Sequence, residues 1–133
     1  MLQITAVPSD GVHTIASQFT GLKNGQLYRI TAWVKSLAGA NFEIVANDLA
    51  PAATNVGAGV FDFEEQRIVY SNGPAKAGLA EGPEDWQQVW IDVPTQTGQF
   101  VVNFYLLESH GNSNFKGDGQ MGIVLGGFSV APP

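Results

Sequence analysis

The stretch LYRITAWVKS (residues 27–36) decides the fold class, because apolar and polar side chains alternate along it. Successive side chains of a β-strand point to opposite faces, so a period of two is typical of a strand with one buried and one polar face. The opposite, polar set contains Arg29 and Trp33, which places a tryptophan outside the predicted core. The apolar set predicted to lie in the core consists of Tyr28, Ile30, Ala32 and Val34.

Eight more short stretches are rich in β-branched and aromatic residues, and Gly, Pro, Asn or Asp separates them at intervals of about ten residues. No helix is predicted, and residues 50–59 and 73–85 are predicted to be long loops. We therefore expect one domain over residues 1–133, an all-β antiparallel sandwich of two sheets, as in a jelly roll. The nine predicted strands span residues 2–7, 12–20, 27–36, 41–48, 59–64, 66–71, 86–93, 99–108 and 122–130.

Composition and charge narrow the classes of function. The chain has 133 residues and no cysteine, which excludes disulfides, thiolate metal sites and a cysteine nucleophile. Six basic residues stand against twelve acidic ones, a formal net charge of −6, so we expect no nucleic-acid partner. The first residues lack the pattern of a signal peptide, and no stretch approaches the ~20 apolar residues of a membrane span. We therefore expect no membrane contact, and export by another route if the protein is exported.

Two further predicted strands carry aromatic residues on their polar faces. In the strand at 86–93, alternation leaves Trp86 and Trp90 opposite the core, and in the strand at 99–108 it leaves Tyr105 there. We expect these strands to share one polar, aromatic surface with residues of the first stretch. The residues predicted to bind a glycan or a protein partner on this surface are Trp33, Trp90, Tyr105, Arg29, Gln88, Asn103 and Asp92.

Three interpretations of this surface remain open. Flat aromatic rings stack on the C–H faces of sugars, while amides and charged groups hydrogen-bond the sugar hydroxyls. Tryptophan and tyrosine are equally typical anchors of protein interfaces, so another subunit could cover the same face. The predicted loops 50–59 and 73–85 could instead fold over the rings within one chain. The sequence does not assign the strands to sheets, and so it does not decide between the three.

The carboxylates and histidines do not form a pattern that indicates an enzyme. Glu64 and Glu65 are adjacent, but their segment FEEQR is predicted to be a hairpin tip with solvated charges. A glycosidase needs two carboxylates that face each other across the scissile bond. His13 is predicted to lie on a strand surface and His110 in a polar loop, and neither belongs to a serine triad or a metal-ligand cluster. We predict a non-catalytic protein.

The closing segment NFKGDGQMGIVLGGFSV (residues 114–130) is similar to the pattern F-x-G-D-G-x-x-G-I-x-L. This pattern ends jelly-roll domains that resemble carbohydrate-binding modules, of the kind found in tail and other virion proteins of tailed bacteriophages. Three more stretches resemble such modules in the same order, namely TGLKNGQLYRITAWVKS, GVFDFEEQRIV and PEDWQQVWIDVP, and the four stretches are spread along the chain from residue 20 to residue 130. The residues that carry the closing match are Phe115, Gly117, Asp118, Gly119, Gly122, Ile123 and Leu125.

The resemblance implies a structural calcium ion near the chain ends, with Asp118 as its candidate oxygen ligand, and no other cofactor is expected. From the residues alone, Asp118 is a turn residue between two glycines. The chain departs from the family at Gly126-Gly127, where such modules often carry an acidic residue, and this departure weakens the case for calcium. Two glycines inside a strand instead predict a β-bulge or a close approach by another backbone.

The same resemblance implies a virion structural protein, either a capsid decoration or a tail-appendage protein, that becomes extracellular after lysis of the host. Its expected partners are other virion proteins, further copies of itself in a homo-oligomer or multicopy array, and cell-surface or polysaccharide glycans. Two alternatives stay open. One is a carbohydrate-binding module of a secreted glycoside hydrolase, and the other is an oligomerisation domain whose aromatic face is a subunit interface.

Overall fold

The structure is a computed structural model that describes the backbone of residues 2–5, 13–37, 39–49, 54–73, 76–107 and 122–133. Within these ranges the chain forms strands and one short 3₁₀ turn at Pro83–Asp85. The strands are β1 (Leu2–Thr5), β2 (His13–Phe19), β3 (Leu27–Leu37), β4 (Asn41–Asp48), β5 (Thr54–Asp62), β6 (Arg67–Asn72), β7 (Lys76–Glu81), β8 (Gln87–Pro94), β9 (Phe100–Leu107) and β10 (Gly122–Ala131).

These strands form two five-stranded sheets, and the described pairings are all antiparallel. The first sheet has the order β1-β10-β3-β8-β7, and the second has the order β2-β9-β4-β5-β6. The predicted all-β sandwich of two antiparallel sheets is therefore confirmed, and the arrangement is compatible with a jelly roll. In the first sheet β3 is the central strand, with β8 and β10 on either side.

Inward-facing side chains of both sheets fill the core between them. Phe42 of β4 stacks on Phe104 of β9, with ring centroids 5.6 Å apart. Aromatic side chains of this size bury roughly 150–250 Å² each and dominate the stability of such a core. The residues that alternation predicted to be inward on β3, β8 and β9 are all buried, namely Tyr28, Ile30, Ala32, Val34, Val89, Ile91, Val93, Phe100, Val102, Phe104 and Leu106.

Two segments predicted as loops are strands instead. β5 begins at Thr54, so all of the predicted loop 50–59 that the structure describes is extended, and β7 lies inside the predicted loop 73–85. Both segments are rich in glycine and alanine, which are depleted in strands. Residue propensities therefore did not predict strands there. The neighbouring side chains explain the small residues. A Cβ on Gly59, for example, would lie 2.9 Å from Cγ2 of Ile91.

Glycines in the turns and in β10 adopt the conformations that turns and bulges require. Gly25, Gly73 and Gly98 all have positive φ at the ends of strands. In β10, the pairing with β3 shifts register between Leu125 and Gly127, so Gly126 forms the predicted β-bulge. The bulge lies beside Trp33, because Gly127 is the residue that pairs with Trp33.

Candidate ligand-binding site

The structure divides the predicted surface between the two sheets. Tyr105 and Asn103 lie on β9 in the second sheet, while the other predicted residues lie on β3 and β8 in the first. The expectation of one shared face is therefore wrong for Tyr105 and Asn103, because the core separates the outer faces of the two sheets. The predicted site residues that share the outer face of the first sheet are Arg29, Trp33, Gln88, Trp90 and Asp92.

At one end of this face, Arg29 joins Asp92 and Trp90 in a single cluster. Arg29 and Asp92 are opposite each other on β3 and β8, and the guanidinium donates two hydrogen bonds to the carboxylate, at 2.8 Å and 3.0 Å. These hydrogen bonds hold the pKa of Arg29 above its ordinary value. The guanidinium carbon also lies 3.9 Å from the centroid of the Trp90 ring, in cation–π geometry. Asp92 is buried although it faces outward, because this cluster covers it.

Trp90 also packs on the backbone of β7. Gly78 pairs with Trp90, and a Cβ on Gly78 would overlap with Cε2, Nε1 and Cζ2 of the indole. Only glycine therefore allows the ring to lie where it does. With the guanidinium over it and β7 beside it, Trp90 is engaged within the protein. The geometry at Trp90 therefore agrees with the third interpretation of the predicted surface, in which residues 73–85 pack against an aromatic ring of the same chain.

Trp33 is the more accessible indole of this sheet. It projects from the central strand β3 and remains 40 % exposed. One edge of its ring abuts Gly82, where a Cβ would lie 2.8 Å from Cζ3 of the indole. The ring is thus supported from the side while much of its surface is free to contact a ligand.

The turn between β7 and β8 places a second indole next to Trp33. The N–H of Gly82 donates to the carbonyl of Trp86 at 2.7 Å, and the N–H of Trp86 donates to the carbonyl of Pro83 at 3.1 Å. Between them, Glu84 and Asp85 both adopt left-handed backbone conformations, with φ of 57° and 67°. Such conformations cost a non-glycine residue of the order of 1–2 kcal/mol each, and they persist at sites where the surroundings fix the turn.

Trp86 leans from this turn onto the bulge of β10. A Cβ on Gly126 would lie 2.9 Å from Cζ3 of Trp86, so the bulge glycine provides the space that the ring occupies. Trp33, Pro83, Trp86 and Gly126 together line an open cleft of about 320 Å³. This volume lies near the lower end of the range of roughly 300–1,000 Å³ for small-ligand sites. The cleft is the candidate ligand-binding site.

Sequence reasoning placed Trp86 on the correct face but did not select it as a site residue. Pro83 and Gly126 were not selected either. One signal in the sequence could have identified Pro83 and Trp86, namely the segment GPEDW (residues 82–86), in which a proline turn comes directly before a tryptophan. Contact between this turn and β10 depends on the order of strands in the sheet, which the sequence did not reveal.

The outer face of the second sheet contains the two remaining predicted residues. Tyr105 is opposite Glu43 of β4, and Glu43 is opposite Val60 of β5. Partial burial among these neighbours raises the pKa of the Glu43 carboxyl above its ordinary value. Tyr70 of the edge strand β6 continues the same row and is 48 % exposed.

The structure describes some, but not all, of the carboxylates and histidines that the sequence analysis considered. Glu64 and Glu65 are exposed in the turn between β5 and β6, as predicted, and the N–H of Glu65 donates to the Asp62 carboxylate at 3.0 Å. Among the described residues, no three histidine, aspartate or glutamate side chains are placed to hold one metal ion. Asp118, His110 and the side chain of His13 lie outside the described residues. Within the part of the chain that is described, no helix is long and apolar enough to span a membrane.

No protein-family model matches the chain, and a search of curated proteins finds no significant match. The fold and the cleft define an all-β sandwich with a two-tryptophan cleft on one sheet face. Its function is therefore inferred from the site geometry and from the sequence resemblance.

Proposed function

We propose that this protein is a non-catalytic glycan-binding protein that holds a sugar in the cleft between Trp33 and Trp86. The observation that carries the proposal is the pair of indoles beside one another on an open sheet face, one of them 40 % exposed. Indole faces attract the C–H faces of a sugar ring by dispersion. Gly82 and Gly126 leave the two rings little freedom to rearrange, so binding would cost little ordering of the site.

Affinity at one such cleft would be weak, because the cleft is open and only four of the described residues line it. A dissociation constant of the order of 1 mM corresponds to about −4 kcal/mol. Presentation of many copies on one particle would raise the effective affinity by about 10²-fold or more through avidity. Weak single sites are therefore compatible with firm attachment to a polysaccharide or a cell surface.

The setting we propose is a bacteriophage virion, where the protein would be a capsid decoration or tail-appendage protein. The support for this setting is the ordered resemblance of four stretches to virion jelly-roll domains, with the closing segment 114–130 as the main match. Other virion proteins and further copies of the chain would be its partners, and its location would be extracellular after lysis. Cosedimentation with purified capsids and with purified tails tests this setting. A carbohydrate-binding module of a secreted hydrolase would bind neither particle and would still bind polysaccharide.

The glycan proposal is tested with a glycan array probed by the protein multimerised on beads. The wild type is expected to be retained on a subset of glycans, and Trp33→Ala is expected to lose that retention. Tyr70→Ala is the matched control, because Tyr70 is a similarly exposed aromatic residue on the other sheet. Equal loss in both variants, or no retention of a folded wild type, would contradict the proposal and favour a protein interface on this face.

A further inference from the structure

A second cleft lies at the end of the sandwich where three connections meet, those between β3 and β4, between β5 and β6, and between β7 and β8. Its volume is about 450 Å³, within the range of roughly 300–1,000 Å³ for small-ligand sites. The residues that line it are Lys35, Ser36, Gly39, Phe63, Glu64, Gln66, Glu81, Asp85 and Gln87.

Gln87 supplies an unused hydrogen-bond acceptor in this cleft. Its side chain belongs to the inward set of β8 and is only 8 % exposed, and its Oε1 has no partner among the protein atoms that the structure describes. Two nearby donors are already used, since Gln66 Nε2 donates to the Phe63 carbonyl and the Ser36 hydroxyl donates to the Ala40 carbonyl. A buried acceptor without a donor costs roughly 1–3 kcal/mol, so a ligand that donates to Oε1 would recover that cost.

The charges around the acceptor indicate which donor fits. Glu64, Glu81 and Asp85 contribute three carboxylates against the single ammonium of Lys35, so the lining carries an excess of negative charge. The carboxylates are not grouped tightly enough to hold a metal ion within the described part of the chain. Negative charge spread around a buried acceptor suits an organic cation whose N–H groups reach several oxygens at once.

The geometry points to a binding site for a protonated primary amine in this end cleft, with the ammonium donating to Gln87 Oε1 and lying among the carboxylates of Glu64, Glu81 and Asp85. Phe63 and the aliphatic part of Lys35 contribute apolar surface for the body of the ligand. An amino sugar and a lysine side chain both carry this group. The site is separate from the two-tryptophan cleft and does not depend on it.

The test is a titration of the full chain, followed by NMR at about pH 6, where both amines are protonated. One arm compares glucosamine with N-acetylglucosamine, and the other compares Nα-acetyl-lysine methylamide with the norleucine analogue. In at least one arm the amine is expected to bind about fivefold or more tightly than its neutral counterpart, and added salt should weaken it. The arm that shows the preference identifies the source of the amine. Equal affinities within both arms would overturn the proposal.

Two variant comparisons assign the binding to this cleft. Gln87→Leu is expected to weaken amine binding about fivefold by removing the acceptor. Glu64→Gln is expected to weaken it about two- to fivefold, while Glu65→Gln, which removes the same charge one residue outside the lining, should leave it unchanged. Because both glutamates are exposed at a turn, this pair remains informative even if Gln87→Leu unfolds the protein. Equal effects of Glu64→Gln and Glu65→Gln, or undiminished binding in a folded Gln87→Leu, would place the amine outside this cleft and overturn the proposal.

Discussion

Replacement of Gly78 by alanine should destabilise the fold through Trp90 specifically. The new methyl group would overlap with three atoms of the indole, well inside the 3.0 Å below which Cβ atoms essentially never approach another atom. The ring must therefore move by about 1–2 Å to regain ordinary contact distances of roughly 3.5–4.0 Å. Such a movement would disturb the guanidinium that lies 3.9 Å from the ring centroid.

The expected cost follows from two opposing effects. Overpacking of this kind costs roughly 1–3 kcal/mol, whereas replacing glycine by alanine in a strand contributes about 0.5–1 kcal/mol of stability. The net loss for Gly78→Ala should be about 1–2 kcal/mol, a fall in Tm of roughly 3–8 °C for a chain of this length. In a Trp90→Ala background the overlap is absent, so the same substitution should be neutral or slightly stabilising.

A double-mutant cycle measures this coupling directly. Urea unfolding of the wild type, Gly78→Ala, Trp90→Ala and the double variant, followed by circular dichroism, should give a coupling free energy of about 2 kcal/mol. Additive effects of the two substitutions would refute the packing of Trp90 on β7. So would a Gly78→Ala variant as stable as the wild type.

Two other expectations concern the cleft and the second sheet. Gly126→Ala should displace Trp86 from the bulge, so glycan retention in the bead assay should fall while Tm changes by less than about 3 °C, because the bulge is exposed. A variant that retains its glycans would show that Trp86 does not form the site. Burial raises the pKa of the Glu43 carboxyl above its ordinary value of 4.5, so folding favours the protonated carboxyl. The stability that this group contributes is therefore fully present below pH 4.5 and is lost as the pH rises through the pKa of the folded state. Glu43→Gln should remove that loss, and urea unfolding from about pH 4 to about pH 7 should show the variant gaining on the wild type with rising pH. A constant difference between the two across this range would contradict the burial of Glu43.

The fold class followed from the regular spacing of turn residues between short apolar stretches and from alternation within them, because alternation reports directly which side of a strand is buried. Along β3, Ile30, Ala32 and Val34 are fully buried, while Trp33 between them is exposed, as the period of two predicts. β7 escaped prediction for a physical reason. The segment KAGLAE has a glycine at the position where the Trp90 ring of β8 lies on it, and an isolated sequence shows the glycine but not the ring.

The candidate site was predictable in part. Alternation identified Trp33 as an outward tryptophan, since that depends only on its own strand. It could not show that Trp90 is engaged by Arg29 and β7, or that Tyr105 lies on the other sheet, because both depend on how distant strands are ordered. The position of Trp86 depends on a turn in which Glu84 and Asp85 are both left-handed, and sequence rules assign this conformation to glycine, asparagine or aspartate rather than to glutamate.

The three tryptophans make one measurement especially direct, because each contributes one indole N–H signal to a ¹⁵N NMR spectrum. We would titrate the labelled protein with a panel of neutral tetrasaccharides of glucose, xylose and N-acetylglucosamine at millimolar concentrations, where weak binding is visible. At least one sugar is expected to shift the Trp33 and Trp86 indole signals while the Trp90 signal stays in place. Movement of Trp90 alone, or no movement of any indole with any sugar, would contradict a glycan site in the two-tryptophan cleft.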